Sequence, residues 1–142
     1  MTQREKRESA FLLLFQAQLN DDKIEEIIEN NISEFELVTD KSVVKTINGV
    51  LENTAAADEI IARYSKTRKV GRIAKVSLTI LRLALYEMDC LSDMPDKVAI
   101  NEAVELCKKY ADKQDCSFVS GLLGAYYKES RTDRFRSCEN DE

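Results

Sequence analysis

Apolar residues recur along this chain at intervals of three and four, the spacing that places them on one face of a helix. Ala10, Leu13, Leu14 and Ala17 form the first such stripe and predict a helix from about Thr2 or Gln3 to Leu19. "NDD" at 20–22 stops it, and Ile24, Ile27 and Ile28 mark a second, short helix over about 22–31. After the connection "SEFELVTD", Asp40 is suited to cap the next helix, because its carboxylate can accept an orphan backbone N–H. Val43, Val44, Ile47, Val50 and Leu51, followed by Ile60 and Ile61, predict one long helix over about 41–64, weakened and bent at Asn48 and Gly49. "SKTRKVGR" at 65–72 reads as a polar, basic connection. Leu81, Ala84, Leu85 and Met88 predict a helix over about 74–89. "DCLSDMPD" breaks the pattern, since Pro95 disfavours helix at Met94. Ile100, Ala103, Val104 and Cys107 then give a helix that starts near Asp96 or Lys97. "ADKQDCS" reads as a loop before a last helix over about 116–129. The chain is thus predicted to be one domain over residues 1–130, with a polar tail over 131–142 that frays.

Composition agrees with an all-α fold. The chain has 142 residues, 44% of them apolar and 33% charged, with only four glycines and one proline. Hairpins have little turn chemistry to work with. No stretch nears the roughly 18 unbroken apolar residues of a membrane span, and "AFLLLFQA" is short and lacks a small-residue cleavage site, so it reads as a mature helix. Cys90, Cys107, Cys116 and Cys138 are spread without a CxxC pair. They read as reduced thiols of a cytoplasmic protein and not as a zinc site. Histidine is absent, which removes the commonest general base and every Ser–His or Cys–His nucleophile pair. Gly49, Gly71, Gly121 and Gly124 stand apart, so no phosphate-cradling loop is present. An enzyme would have to rely on Asp, Glu, Lys or Tyr.

Charge distribution changes the picture. The net charge is −5, yet residues 60–86 hold Arg63, Lys66, Arg68, Lys69, Arg72, Lys75 and Arg82 and no acid. Residues 1–7 add Arg4, Lys6 and Arg7 against Glu5. Such asymmetry can produce a local positive field on an acidic protein. A solvated connection between helices would carry the same composition. On a helix, Arg4, Arg7, Phe11 and Phe15 fall within roughly 80° of one another. Cations attract phosphate and rings stack with unpaired bases. Phe11 reads as core, and Phe15, further from the Leu14 stripe, as the partly exposed ring.

Four segments carry a resemblance. "REKRESAFLLLFQ" at 4–16, "ILRLALYEMD" at 80–89, "MPDKVAINEAVELCKKY" at 94–110 and "FVSGLLG" at 118–124 resemble, in order and separation, the NusB family of bacterial transcription antitermination factors. The resemblance implies two small packed helical bundles of about six to seven helices. It implies binding of boxA-type single-stranded RNA together with the ribosomal protein NusE, and loading with other Nus factors onto the RNA polymerase elongation complex, notably on ribosomal RNA transcripts. It implies no cofactor and no catalysis. The family's arginine-rich motif falls on Arg4, Lys6 and Arg7, its following aromatic on Phe15, and its RNA-side segment on Gln114 to Phe118, which includes Ser117. Gln3, Lys6, Ser77, Leu78, Ser117 and Ser120 depart from the usual residues and remove some phosphate-binding charge, for which Arg72 and Lys75 are expected to compensate.

Within "KVAINEAVELCKKY", Asn101 and Glu102 are expected to fix helix register, with Asn101 buried and Glu102 or Glu87 paired to Arg82 or to a cation of residues 60–75. A partner contact is the alternative for them. Two other functions stay in view. NusB-like domains also front some RNA cytosine methyltransferases, but no glycine-rich cofactor loop follows here, so no enzyme is expected. A purely protein-binding helical module, monomeric or a homodimer that masks the Phe11, Phe15 and Arg4 surface, would bind its partner without salt-dependent RNA binding.

Overall fold

The computed structural model describes residues 2–20, 41–91 and 93–140, with the side chains of residue 20 and of 130–140 outside the description. The expected helix over 22–31 and the Asp40 cap therefore lie outside the described residues. Those described form six α-helices and no strand: α1 (Gln3–Asn20), α2 (Lys41–Glu52), α3 (Thr54–Tyr64), α4 (Lys75–Cys90), α5 (Asp96–Tyr110) and α6 (Lys113–Asn140), with a short 3-10 turn at Val70–Arg72. No described helix is long and apolar enough to cross a membrane.

Helix α4 is the centre of the molecule and packs on all the other described helices. Its sequence shows why. A surface helix needs one apolar stripe, but α4 buries residues 77–81 and 83–88 almost all round. On one side lie α1 and α2, which also pack on each other; on the other lie α5 and α6, with α3 against α6. Phe11, Ile47, Ile61, Ile80, Leu81, Leu83, Leu85, Val119 and Leu123 form a continuous, fully enclosed core across both groups.

Local chemistry sets the helix ends. Thr2 caps α1: the Glu5 N–H donates to Thr2 Oγ1 at 3.1 Å, and the Thr2 hydroxyl donates to Glu5 Oε1 at 3.0 Å. Helix α5 begins directly after Pro95, with Asp96 in its first turn and Lys108 and Lys109 in its last, which suits the helix dipole.

Three boundaries differ from the sequence reading. The predicted helix 41–64 is two helices, and the break is at Asn53, not at Asn48 and Gly49. Asn53 Nδ2 donates to the Gly49 carbonyl at 2.7 Å and Thr54 Oγ1 donates to the Val50 carbonyl at 2.9 Å, so side chains compete for the last carbonyls of α2. Helix α6 starts at Lys113, where a loop was expected, because Asp112 Oδ1 accepts the Asp115 N–H at 2.8 Å and caps it. Its backbone continues to Asn140, past the start of the expected tail.

Gly49 serves a close approach. A Cβ built there would lie 2.3 Å from Tyr86 Cε1 and 2.5 Å from Cζ, and that ring is itself buried. Alanine favours a helix interior over glycine by about 1 kcal/mol, whereas forcing a packed ring aside costs about 1–3 kcal/mol. Gly49→Ala is therefore expected to lower stability in denaturant melts despite its better helix propensity, and to couple with Tyr86→Leu in a double-mutant cycle.

Candidate nucleic-acid interface

The capped start of α1 directs Arg4, Arg7, Glu8, Phe11 and Phe15 along one side of the helix, toward α4 and α5. Arg4 forks onto one carboxylate, its Nε at 3.1 Å from Glu102 Oε2 and its Nη2 at 2.9 Å from Glu102 Oε1. Arg7 lies deeper. Its Nε donates to Glu87 Oε2 at 2.7 Å, its Nη1 lies 3.5 Å from Glu102 Oε2, and its Nη2 contacts Met94 Sδ at 3.4 Å. The side chains of Arg7, Glu87 and Glu102 are 11%, 6% and 14% exposed, whereas that of Arg4 is 64% exposed. Arg7, expected from the sequence to meet phosphate, is thus enclosed and shared between two carboxylates. Arg4 alone of the pair presents a solvent-facing guanidinium.

One turn on, Glu8 accepts hydrogen bonds from Lys109 Nζ and the Tyr110 hydroxyl. The Phe11 ring lies 5.1 Å from Tyr110 and stacks on Phe15 at 5.8 Å and 6°. Phe11 is fully buried and Phe15 is half-buried, as the two rings' distances from the Leu14 stripe predict. Near the end of α1, Thr79 Oγ1 donates to Gln18 Oε1, which ties that end to the first turn of α4, where Lys75 stands exposed.

A second group forms where the segment after α3 meets the start of α6. The Ser65 hydroxyl donates to the Arg68 carbonyl. Arg68 Nη1 donates to Asp115 Oδ1 at 2.6 Å, and the guanidinium carbon sits 4.7 Å above the Phe118 ring centre. Phe118 is half-buried and Ser117 exposed, and both lie on the early turns of α6, not on a loop. Arg72 is exposed at the end of the 3-10 turn.

Other sequence expectations are corrected. Arg82 forks onto Asp58 of α3, its Nε 2.9 Å from Oδ1 and its Nη2 2.8 Å from Oδ2, and pairs with neither Glu87 nor Glu102. Asn101 is exposed, not buried. Glu102 does fasten helices, but it joins α5 to α1. The contacts of Arg68 with Asp115 and of Glu8 with Tyr110 were not singled out from sequence. Asp112 followed by Asp115 was a readable capping signal, while the reach of Arg68 to Asp115 leaves no trace in local spacing.

The electrostatics follow burial. Burial holds the Glu87 carboxyl above its ordinary range, opposed by Arg7 and reinforced by nearby Glu102. The hydrogen bond from Arg4 holds Glu102 below it, against a smaller opposing effect of burial. Burial pushes the Cys107 thiol, hydrogen-bonded with Cys116, up to about 12, which keeps it protonated and unreactive. Among the described residues no group of three or more potential ligands could hold a metal ion.

The geometry has known counterparts. The NusB family profile matches residues 4–128. The transcription antitermination protein NusB of Acetivibrio thermocellus is 41% identical over 130 residues, covering 90% of each chain. That of Clostridium botulinum (strain Kyoto, type A2) is 39% identical, covering 87% of this chain and 98% of its own. The solved structure of Thermotoga maritima NusB superposes with a TM-score of 0.81 at 31% identity, covering 96% of this chain and 98% of that one. A NusB chain solved with NusE and double-stranded RNA gives 0.78 at 26% identity, covering 89% and 96%. The packing around α4 is therefore the NusB fold. The chain belongs to the NusB family.

Two outcomes test the electrostatic account. Arg7→Ala is expected to destabilise the fold by about 3 kcal/mol in denaturant melts, because it strands the buried Glu87 carboxyl. The pH profiles of Glu102→Gln and Glu87→Gln should differ in sign. Glu102, with a lowered folded value, contributes stability that is lost as pH falls through that value, so its substitution flattens the acid limb. Glu87, with a raised one, loses stability as pH rises from the ordinary carboxylate value through the raised value, so its substitution removes that decline.

Proposed function

We propose that this protein is an RNA-binding transcription antitermination factor that works with the ribosomal protein NusE. In this reading it binds boxA RNA of nascent transcripts, ribosomal RNA among them, and joins other Nus factors on the elongating RNA polymerase. The observation that carries the reading is its likeness, over 89% of the chain, to a NusB solved with NusE and double-stranded RNA. The surface chemistry supports it: an exposed Arg4, the half-buried rings of Phe15 and Phe118, the exposed Ser117, and the cations Arg72 and Lys75 suit phosphates and unstacked bases. Lys6 lies on the same helix as Arg4 and completes the N-terminal cations. Arg7, Glu87 and Glu102 hold that surface in place. Arg82 and Asn101 lie apart from the Arg7 cluster, one bound to Asp58 and the other in solvent. The role needs neither cofactor nor catalytic residue and places the protein in the cytoplasm.

One observation favours a second reading, a protein-binding module or homodimer with weak RNA affinity. Two acids, Glu87 and Glu102, sit against the two arginines of the N-terminal motif and offset their charge. Titration of a boxA-type RNA and a scrambled control, with and without NusE, at two salt concentrations separates the readings. Selective, salt-dependent binding strengthened by NusE is the expected result; binding to NusE without RNA would support the module. Phe15→Ala should weaken RNA binding by about 1–3 kcal/mol if a base stacks on the ring. An unchanged affinity would make Phe15 a packing residue.

A further inference from the structure

The sequence offers two sets of cations to phosphate, and they differ in what already holds them. In the N-terminal set, Arg4 is forked on Glu102 and Arg7 is enclosed by Glu87 and Glu102. A phosphate arriving there has to compete with carboxylates already in place. In the set that follows α3, Lys66, Lys69, Arg72 and Lys75 are all exposed, and their side chains enter no ion pair or hydrogen bond among the described residues. No acid occurs in the sequence between Glu59 and Glu87 to offset them locally.

Their spacing is also regular. The four stand three residues apart, and Lys69 and Arg72 stand at the two ends of the 3-10 turn. Lys69 and Ile73 flank the 3-10 turn with extended backbone, at φ −73°, ψ 149° and φ −76°, ψ 135°. In a 3-10 turn, residues i and i+3 eclipse, and extended polyproline-like backbone also has three residues per turn. The burial pattern agrees: Val70, Ile73 and Val76 pack on the core, each one residue after Lys69, Arg72 and Lys75, which stay in solvent. The inward row anchors the segment and the outward row is cationic.

Arg68 breaks the pattern and turns toward α6. Its bond to Asp115 and its place over Phe118 fasten the segment beside a half-buried ring and the exposed Ser117. A row of unpaired cations next to an aromatic face combines the two elements that hold single strands: charge for the backbone and a ring for a base. An acidic protein would use the cations but has no need of the ring.

We propose that Lys66, Lys69, Arg72 and Lys75 form the principal phosphate-binding tract of this protein for single-stranded RNA, ahead of the N-terminal arginines. The proposal rests on the RNA-binding reading above and assigns where that binding is concentrated. The test is a titration of the full chain with NusE and a boxA-type RNA over a series of salt concentrations, comparing the natural protein, a Lys66→Gln/Lys69→Gln/Arg72→Gln variant and Arg4→Gln. Each phosphate of a single strand that the protein no longer neutralises removes about 0.7 from the slope of log affinity against log salt. The triple variant is expected to flatten the slope by about 2 and to weaken binding at least about tenfold at low salt, while Arg4→Gln changes the slope by less than the about 0.7 of a single phosphate. The triple variant's melting temperature should match that of the natural protein, since the replaced side chains are exposed and unpaired; Lys69→Gln alone, with a slope change of about 0.7, gives the same reading if the triple variant folds poorly. An unchanged slope in the variants, with RNA still bound, overturns the tract and leaves RNA binding elsewhere on the surface. Loss of NusE binding with an unchanged RNA slope also overturns it, by assigning the segment to a protein partner. No RNA binding by the natural protein would bring down the functional reading itself, and the tract with it.

Discussion

The structure depends on one demand made by helix α4. It packs on every other described helix and so buries nearly its whole circumference, including the carboxylate of Glu87. A buried carboxylate must be paired, protonated or paid for in stability. Arg7 supplies the pairing from α1, and Glu102 supplies the second contact that the guanidinium of Arg7 can take. Three helices are thus tied at one point. The position of α1, and with it the placing of Phe11 against Tyr110 and of Phe15 at the surface, follows from satisfying that one group.

This explains why a basic N-terminus on an acidic protein is a poor guide to where free positive charge lies. Arg4 and Arg7 look alike in sequence, three residues apart on one face. In the fold one is largely solvated and the other is nearly enclosed. The segment after α3 carries its charge differently. Among the described residues its cations Lys66, Lys69 and Arg72 enter no ion pair or hydrogen bond, while Arg68 is held by Asp115 and Phe118. In the first region the arginines hold helices together; in the second, Arg68 alone does so among the described residues.

Much of the architecture was legible from the sequence. The apolar spacing of Leu81, Ala84, Leu85 and Met88, the break at Pro95 and the stripe through Cys107 each specify a helix, because burial is a local pattern repeated every three or four residues. The wider burial of α4 was less visible, since one stripe and a full circumference share the same first signal. The break at Asn53 was missed because it comes from side chains bonding back to carbonyls four residues earlier, which the apolar period does not register. The pairing of charges was the least legible. Arg82 chose Asp58, and Glu102 chose Arg4 and Arg7, and in each case the choice was made by helix packing across long stretches of chain. The resemblance identified the family from its motifs, yet those motifs did not say which of their charged residues face one another.

The contacts between α1 and α5 have an unequal sensitivity to their medium. Arg4–Glu102 and Lys109–Glu8 each have one largely exposed member, whereas the Arg7–Glu87 pair beneath them is enclosed on both sides. Screening reaches the first kind and spares the second, as the Debye length shrinks from about 10 Å at 0.1 M to about 3 Å at 1 M. In concentrated salt the outer stitches slacken while the inner one and the Phe11–Tyr110 contact persist. Ionic strength therefore bears on the outer pairs along the first turns of α1, and not on whether the helix stays attached.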